Sequence, residues 1–234
     1  QIQSADQNRR DLITHVSHDL RTPLASIQGY VDTLRIKDSQ LDPQQRQQFL
    51  HTASKHCTRL NQLINDLFEL SKLDALAVKP SIEQFSLSEL IQDISMEFKL
   101  MAKQKNVALK VDIPNGTTTV KADIGLMQRV LENLIMNAIK HTPKGGQVLL
   151  KLAQQADQYV VIVRDTGRGI SQEELPFIFD RLYRAENSSQ QSASSSGLGL
   201  AIVKKILELH KSKIRVTSRL KKGTQFSFQL PVPV

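Results

Sequence analysis

The chain has 234 residues, 40% of them hydrophobic and 23% charged, which is typical of a globular protein with one large or two modest domains. Its formal net charge of +8 suits nucleic acid, an anionic membrane surface or a polyphosphate ligand, and charge alone does not choose among them. A single cysteine, Cys57, excludes an intrachain disulfide, and no apolar run approaches the roughly 18 residues of a membrane span.

The first half of the sequence predicts two helices. Apolar residues recur there at steps of three and four, in two stripes as narrow as the seam of a helix bundle. The stripes are Ile13, Val16, Leu20, Leu24, Ile27, Val31 and Leu34, and then Leu50, Ala53, Cys57, Leu60, Ile64 and Leu67. Residues 38–45 contain Asp, Ser and Pro and predict the turn of a helical hairpin. One hairpin cannot bury both stripes, so we expect two copies to form a four-helix bundle, with Cys57 as a small core residue.

After residue 80 the pattern changes to short β-like runs that alternate with helical stretches. The runs are 107–113, 147–152, 159–164, 213–218 and 224–230, and the helical stretches are 86–104, 123–141, 171–179 and 198–210. This alternation predicts an α/β sandwich, one sheet layer covered by helices, as a second domain. Residues 188–196 are rich in serine and predict a flexible loop, which is either plain surface or a lid, because two glycines and a helix follow it.

His18 is the first candidate for chemistry. At about 100° per residue it points roughly 160° away from the first stripe and is therefore expected to face solvent. Asp19 is adjacent, and Thr22 lies one helical turn on, so a carboxylate and a hydroxyl accompany the imidazole. Such an imidazole can act as a nucleophile, but an exposed helical histidine is more often plain surface, which is our expectation for His15.

Three further clusters suit a nucleotide. Asn133, Asn137 and Lys140 share one helical face and could hold Mg²⁺ and phosphate, although asparagines often merely occupy a polar face. Residues 165–170 place Asp165 before two glycines at a strand end, which permits close approach of a flat ligand but also occurs in ordinary turns. Residues 197–200 open a helix whose free N–H groups can bind phosphate.

In this order the segments resemble the sensor histidine kinases of two-component systems, over about residues 10–232. Residues 17–24 resemble the H-box, 133–141 the N-box, 165–170 the G1 box, 177–184 the F-box, 197–200 the G2 box and 222–226 the closing glycine–threonine element. The H-box is the most specific of these motifs. The glycine boxes are weak evidence individually, and they support the resemblance through their order and spacing. In the F-box, Leu182 stands where an aromatic residue is usual.

The resemblance implies a multi-domain fold, in which a helical hairpin that dimerises into a four-helix bundle precedes a Bergerat ATP-binding α/β sandwich. The expected divisions are 1–10 as the end of an upstream linker helix, 11–77 as the dimerisation and histidine phosphotransfer domain, 78–84 as a linker and 85–234 as the catalytic ATP-binding domain. The implied activity is ATP-dependent autophosphorylation of His18, transfer to an aspartate of a response regulator receiver domain, and dephosphorylation of that regulator.

The resemblance also assigns roles to residues. His18 would be the phosphoacceptor, Asp19 its base and orienting partner, and Thr22 the residue that positions water for dephosphorylation. Asn133 and Asn137 would hold Mg²⁺. The remaining residues implied for ATP binding are Lys140, His141, Asp165, Gly167, Gly169, Tyr183, Arg184, Gly197, Leu198, Gly199, Leu200 and Thr224. Of these, Lys140 and Arg184 would contact phosphate, Asp165 the adenine amine, and His141 would stack on adenine where many relatives have Tyr.

Further expectations concern partners and alternatives. The resemblance implies a homodimer and the cytoplasmic portion of a bacterial sensor anchored in the inner membrane, with its N-terminal sensor and membrane region missing. No nucleic-acid partner is expected, because Trp and basic–aromatic interleaving are absent. A Bergerat-fold ATPase clamp would carry an acidic residue at Asn133, and an inactive dimerising scaffold would have lost Asn137, Asp165 or the glycines.

Overall fold

The computed structural model describes residues 2–37, 40–75, 79–114, 116, 118–183 and 197–233, with side chains for residue 17 and from residue 19 onward. The described residues form two compact units. The first comprises those of Gln1–Ser71 and Arg181–Leu198, and the second those of Lys72–Asp180 and Gly199–Val234. Within the described part of the chain, no helix is long and apolar enough to cross a membrane.

The first unit is built on the predicted helical hairpin, with α1 at Ile2–Lys37 and α2 at Pro43–Asp74. Helix α2 begins with a capping box, in which the Gln45 N–H donates to Asp42 Oδ1 at 2.7 Å and the Asp42 N–H donates to Gln45 Oε1 at 3.4 Å. The rings of Tyr30 and Phe49 pack with their centroids 5.6 Å apart and so join the two helices. The predicted hairpin is therefore confirmed.

The apolar stripes of the hairpin are only partly covered within one chain. Ala53 is buried, but Leu24, Val31 and Leu50 are 56%, 51% and 55% exposed. Cys57 is likewise exposed in the single chain, so its place in a bundle core stays a prediction about the dimer.

The second unit is an α/β arrangement of three helices and seven strands among the described residues. They are β1 at Glu83–Ser86, α3 at Leu87–Gln104, β2 at Ala108–Asp112, β3 at Thr119–Ala122, α4 at Ile124–His141, β4 at Gln147–Gln155, β5 at Gln158–Asp165, α5 at Gly199–Leu209, β6 at Arg215–Arg219 and β7 at Gly223–Pro231. Five strands form one sheet in the order β2-β4-β5-β7-β6, in which only the β2–β4 pair is parallel. Strands β1 and β3 form a separate antiparallel pair.

The core of this unit lies between the sheet and the helices. Phe226, Phe228 and Leu230 of β7 are at most 2% exposed, as their alternation predicts. Complete burial of each such side chain contributes about 1.5–3 kcal/mol. Helix α4 contacts β4, β5 and the other two helices, so it is the central element on which a site can be built.

One predicted helix is wrong, and two strands were not predicted. Residues 172–179 form successive turns rather than a helix. The Phe177 N–H donates to Glu174 O and the Asp180 N–H to Phe177 O, three residues back, while Pro176 has no N–H to donate and disfavours a helical residue before it. Strands β1 and β3 have four residues each, too few to show a clear alternation.

Candidate active site

Asp165 lies at the end of β5 and is 5% exposed. Its Oδ1 accepts hydrogen bonds from the backbone N–H of Gly167 at 2.7 Å and of Thr224 at 3.2 Å. Burial raises the pKa of Asp165 above its ordinary value, and these two hydrogen bonds offset part of that rise. The structure describes no hydrogen bond to Oδ2, so the carboxylate keeps one oxygen with which to accept from a ligand.

Glycines surround Asp165 because the backbone is crowded there. A Cβ at Gly167 would be 2.5 Å from His141 O and 2.6 Å from Asp165 Oδ1. Gly223 has a φ of +103°, and a Cβ on it would overlap the backbone carbonyl of Asp165. The end of α4, the turn after β5 and the start of β7 therefore meet at Asp165, and this brings together His141, Gly167 and Thr224.

His141 ends α4 beside this carboxylate. The pKa of His141 is lowered to about 4, chiefly by burial and further by the charges of Arg168, Lys140 and Lys105. The imidazole is therefore neutral at physiological pH. Lys105 reaches the same helix end, where its Nζ donates to Lys140 O at 3.1 Å, so its charge also complements the negative end of the helix dipole.

The two asparagines lie one helical turn apart on α4, and both are half-buried. The Asn133 Nδ2 donates to Arg129 O at 2.9 Å, which leaves Oδ1 facing Gly199, where a Cβ would be only 2.6 Å away. The structure describes no hydrogen bond to the Asn137 amide. Gly199 and Leu200 open α5, so the N-terminus of α5 lies beside the asparagine face of α4.

The remaining predicted residues belong to the first unit. The side chain of His18 lies outside the described residues, although its backbone is part of α1; Asp19 is half-buried and Thr22 is exposed. Leu182 adopts a φ of +62°, and its N–H donates to Gly197 O at 2.9 Å, which brings together the two chain segments that flank residues 183–196. Tyr183 is half-buried and Leu198 is buried, whereas Arg184 lies outside the described residues.

The structure adds site residues that the sequence reasoning did not identify. Lys105 and Arg168 both help to lower the pKa of His141. The predicted Gly169, whose φ is +72°, packs so closely on Arg219 O that a Cβ would overlap it. Lys105 is 35 positions from the carbonyl of Lys140 that it contacts, and no local sequence signal indicates such a distant contact. Asp123 could have been recognised as the N-cap of α4, but not as a partner of His210.

Two family models match the chain. Residues 8–76 match the His Kinase A (phospho-acceptor) domain, and residues 122–234 match the histidine kinase-, DNA gyrase B-, and HSP90-like ATPase. The chain belongs to the histidine kinase family. This confirms the resemblance drawn from the boxes, and it assigns the hairpin and the α/β unit to the two domain types expected of that family.

Curated histidine kinases and sensors align with nearly the whole chain. Sensor histidine kinase RppB of Synechocystis is 32% identical over 231 residues, which are 99% of this chain and 51% of RppB. Sensor protein SrrB of Staphylococcus aureus is 30% identical over 228 residues, which are 97% of this chain and 39% of SrrB. The chain thus spans about half the length of these relatives, or less.

Solved histidine kinases share the fold. Acinetobacter baumannii histidine kinase AdeS superposes with a TM-score of 0.75 at 22% identity, over 93% of this chain and 98% of AdeS. Histidine kinase ThkA in complex with response regulator protein TrrA gives a TM-score of 0.78 at 24% identity, over 99% of this chain and 66% of ThkA. The predicted succession of a helical region and a mixed α/β domain is therefore confirmed.

Proposed function

We propose that the chain is an ATP-dependent protein histidine kinase that phosphorylates its own His18 and passes the phosphoryl group to an aspartate of a response regulator. The observation that carries the proposal is the buried Asp165 carboxylate, in which Oδ1 accepts from two backbone N–H groups and the structure describes no hydrogen bond to Oδ2. The proposal is also supported by the two family matches, because an ATPase-family domain and a phosphoacceptor domain occur in the same chain. The relatives RppB and SrrB are themselves named as sensors.

Asp165 would recognise adenine. Its free Oδ2 can accept from the exocyclic amine, which guanine does not present at that position. Gly167 and Gly169 leave room for the flat base beside the backbone, and Thr224 holds the carboxylate in place through its N–H. The neutral imidazole of His141 is suited to stack on the base, because it brings no charge into a partly buried contact.

The triphosphate would lie between α4 and the start of α5. The first N–H groups of α5, at Gly199 and Leu200, are unpaired within the helix and favour an anion. We include Gly197, Leu198, Tyr183 and Arg184 in this site on the family resemblance alone. Lys140, on the last turn of α4, supplies a cation to the same region.

Asn133 and Asn137 fit a bound Mg²⁺. Their amide oxygens lie one turn apart on α4, and Mg²⁺ takes few protein ligands when phosphate oxygens and waters supply the others. A bound Mg²⁺ would neutralise charge on the phosphate oxygens. Because Asn133 is an amide rather than a carboxylate, it cannot act as a base toward water, so ATP would persist until the histidine is reached.

The phosphoryl transfer would take place at His18. An imidazole nitrogen forms a bond to the γ-phosphorus while the bond from that phosphorus to the β,γ-bridging oxygen breaks, and ADP leaves. The imidazole proton passes to Asp19, the neighbouring carboxylate. Thr22, exposed one turn further along α1, would act in a separate reaction, the dephosphorylation of the regulator. There it would position a water molecule for hydrolysis of the aspartyl-phosphate.

We also propose that the active form is a homodimer. The exposed stripe residues Leu24, Val31 and Leu50 lie on both helices of the hairpin, and Phe68 of α2 is 64% exposed. An apolar face of this extent is typical of an interaction surface, and a second hairpin would complete a four-helix bundle. We place the chain in the cytoplasmic portion of a sensor anchored in the bacterial inner membrane, as its resemblance implies.

Incubation with γ-labelled ATP tests the proposed function. A kinase incorporates label into a linkage that is stable in base and labile in acid, and then transfers it to a receiver domain. An ATPase clamp would release labelled phosphate without labelling itself, and an inactive scaffold would do neither. Either of these last two results would refute the proposal.

A further inference from the structure

Helices α4 and α5 are joined by specific contacts at both ends of α5. At its start, Gly199 lies against the Oδ1 of Asn133. At its far end, the ring of His210 accepts a hydrogen bond at Nε2 from the backbone N–H of Asp123, at 3.1 Å. At 1.5 Å per residue, Gly199 to His210 spans about 16 Å and Asn133 to Asp123 about 15 Å, so the helices are antiparallel with matched ends.

The contacts of His210 define its tautomer. Because Nε2 accepts from Asp123, the proton of the neutral ring is on Nδ1, which lies 2.8 Å from Ile206 O and donates to it. The ring is thereby held against the last turn of α5 while it also bonds to the start of α4. Both nitrogens are used, so the side chain has one orientation in which both hydrogen bonds form.

Asp123 is a rigid anchor for this contact. Its Oδ1 accepts from the Leu126 N–H at 3.0 Å as the N-cap of α4, and its Oδ2 accepts from the Ser81 N–H at 2.8 Å. Its carbonyl accepts from the Met127 N–H at 2.9 Å. The N–H group that donates to His210 therefore belongs to Asp123, whose side chain and carbonyl are already fixed by other hydrogen bonds.

Between its two ends, α5 also forms an ion pair, in which Lys205 Nζ lies 3.8 Å from Asp74 Oδ1 of α2, but that contact does not involve α4. The buried residues of α5 are all apolar, namely Ala201, Ile202, Val203, Ile206 and Leu207. Hydrophobic burial is not directional, so it holds a helix against its neighbour more firmly than it resists a slide along the axis. A hydrogen bond weakens steeply with distance and angle, and it therefore resists such a slide.

We infer that His210 is a positioning residue that sets the register of α5 along α4 and so places the N-terminus of α5 beside Asn133 and Asn137. The inference rests on the proposed nucleotide site, because that site requires the first N–H groups of α5 and the two asparagines to face the same triphosphate. His210 lies at the opposite end of α5 from that site and acts only through the helix.

The first test compares three single variants of the full chain. His210→Phe keeps the bulk of the ring but removes both hydrogen bonds, and His210→Gln keeps one acceptor and one donor. Ser212→Ala is the matched control, since it removes a 2.7 Å hydrogen bond from the same turn to Gln229 O on β7 instead of to α4. Binding of Mg·AMPPNP is measured by calorimetry, and the melting temperature by thermal denaturation.

We expect His210→Phe to raise the Kd for Mg·AMPPNP about tenfold, the equivalent of one to two net hydrogen bonds. His210→Gln should restore most of the affinity. Ser212→Ala should lower the melting temperature yet leave the Kd unchanged. If His210→Phe and Ser212→Ala both lower the melting temperature and neither alters the Kd, His210 is merely structural and the inference is wrong.

A double-mutant cycle tests the register without any nucleotide. Gly199→Ala forces a side chain against Asn133, and its cost depends on where α5 lies along α4. We expect Gly199→Ala to lower the melting temperature less in the His210→Phe background than in the parent, since a released helix can shift away from Asn133. Additive effects would refute the register role. Failure of the parent to bind Mg·AMPPNP would refute the proposed function instead, and this cycle would still decide the inference.

Discussion

Replacement of Asp165 by asparagine should separate nucleotide recognition from folding. Asparagine keeps the shape of the side chain, and its Oδ1 can still accept from the N–H groups of Gly167 and Thr224. The amide cannot flip, because its NH₂ group would then face two donors. The Nδ2 must therefore take the place of Oδ2, and it presents a donor where the adenine amine also donates.

The expected loss of affinity follows from the hydrogen bond that disappears. A hydrogen bond to a charged group contributes about 1.5–3 kcal/mol, so the Kd for Mg·AMPPNP should rise by about 10- to 100-fold. The variant should also discriminate less against inosine triphosphate, whose carbonyl oxygen at the same ring position can accept from the new NH₂ group.

The stability of this variant should not fall. The folded-state pKa of Asp165 is raised by burial, so its ionised form is disfavoured by folding. The contribution of this group to stability is fully present below its ordinary pKa and is lost as pH rises through the raised value. Asparagine removes that cost at neutral pH, so its melting temperature should equal or exceed that of the parent.

Asp165→Ala is the contrasting variant. It leaves the buried N–H groups of Gly167 and Thr224 without their acceptor, at a cost of about 1–3 kcal/mol for each. Calorimetric titration and thermal denaturation of both variants give the comparison. If Asp165→Asn binds Mg·AMPPNP as tightly as the parent, the carboxylate does not read adenine and the assignment of the pocket fails.

The remaining predictions concern three residues and the assembly. His141 has a pKa lowered from 6.5 to about 4, so its contribution to stability is present above pH 6.5 and is lost as pH falls toward 4, by about 3 kcal/mol. Urea denaturation should show a smaller loss over that range in His141→Phe, and an equal loss would contradict the shift. Asn137→Ala should abolish the Mg²⁺ dependence of nucleotide binding in calorimetry, whereas unchanged Mg²⁺ dependence would remove this residue from the metal site. Thr22→Ala should spare autophosphorylation but slow decay of a phosphorylated receiver domain, by about 10²-fold, and equal decay rates would make Thr22 plain surface. Light scattering should give twice the chain mass, and a monomer at micromolar concentration would contradict the four-helix bundle.

Much of the fold could be predicted, because helix starts and buried strand faces are indicated by patterns of neighbouring residues in the sequence. Asp123 and Ser86 mark the starts of α4 and α3 as N-caps, and the alternation of Phe226 and Phe228 identifies a buried strand face. The segment 171–179 was predicted as one of the helical stretches that alternate with the strands, but Pro176 interrupts the hydrogen-bond pattern and turns form instead.

The candidate site could be proposed from individual residues in the sequence, but the contacts among those residues could not be predicted. Asp165 was identified from its place before two glycines, yet the N–H of Thr224 that holds it comes from 59 positions away. The low pKa of His141 depends chiefly on burial and in smaller part on neighbouring charges, one of which, Lys105, is 36 positions away in sequence. Such contacts arise from tertiary packing, and no periodicity within a short window contains them.

The measurement that tests the central proposal most directly is the site of phosphorylation. The full chain and its His18→Gln variant are incubated with γ-labelled ATP and Mg²⁺, with His15→Gln as the matched control on the same helix. The proposal predicts base-stable, acid-labile label on the parent and on His15→Gln, none on His18→Gln, and an unchanged Kd for Mg·AMPPNP in all three. Label retained on His18→Gln would contradict it.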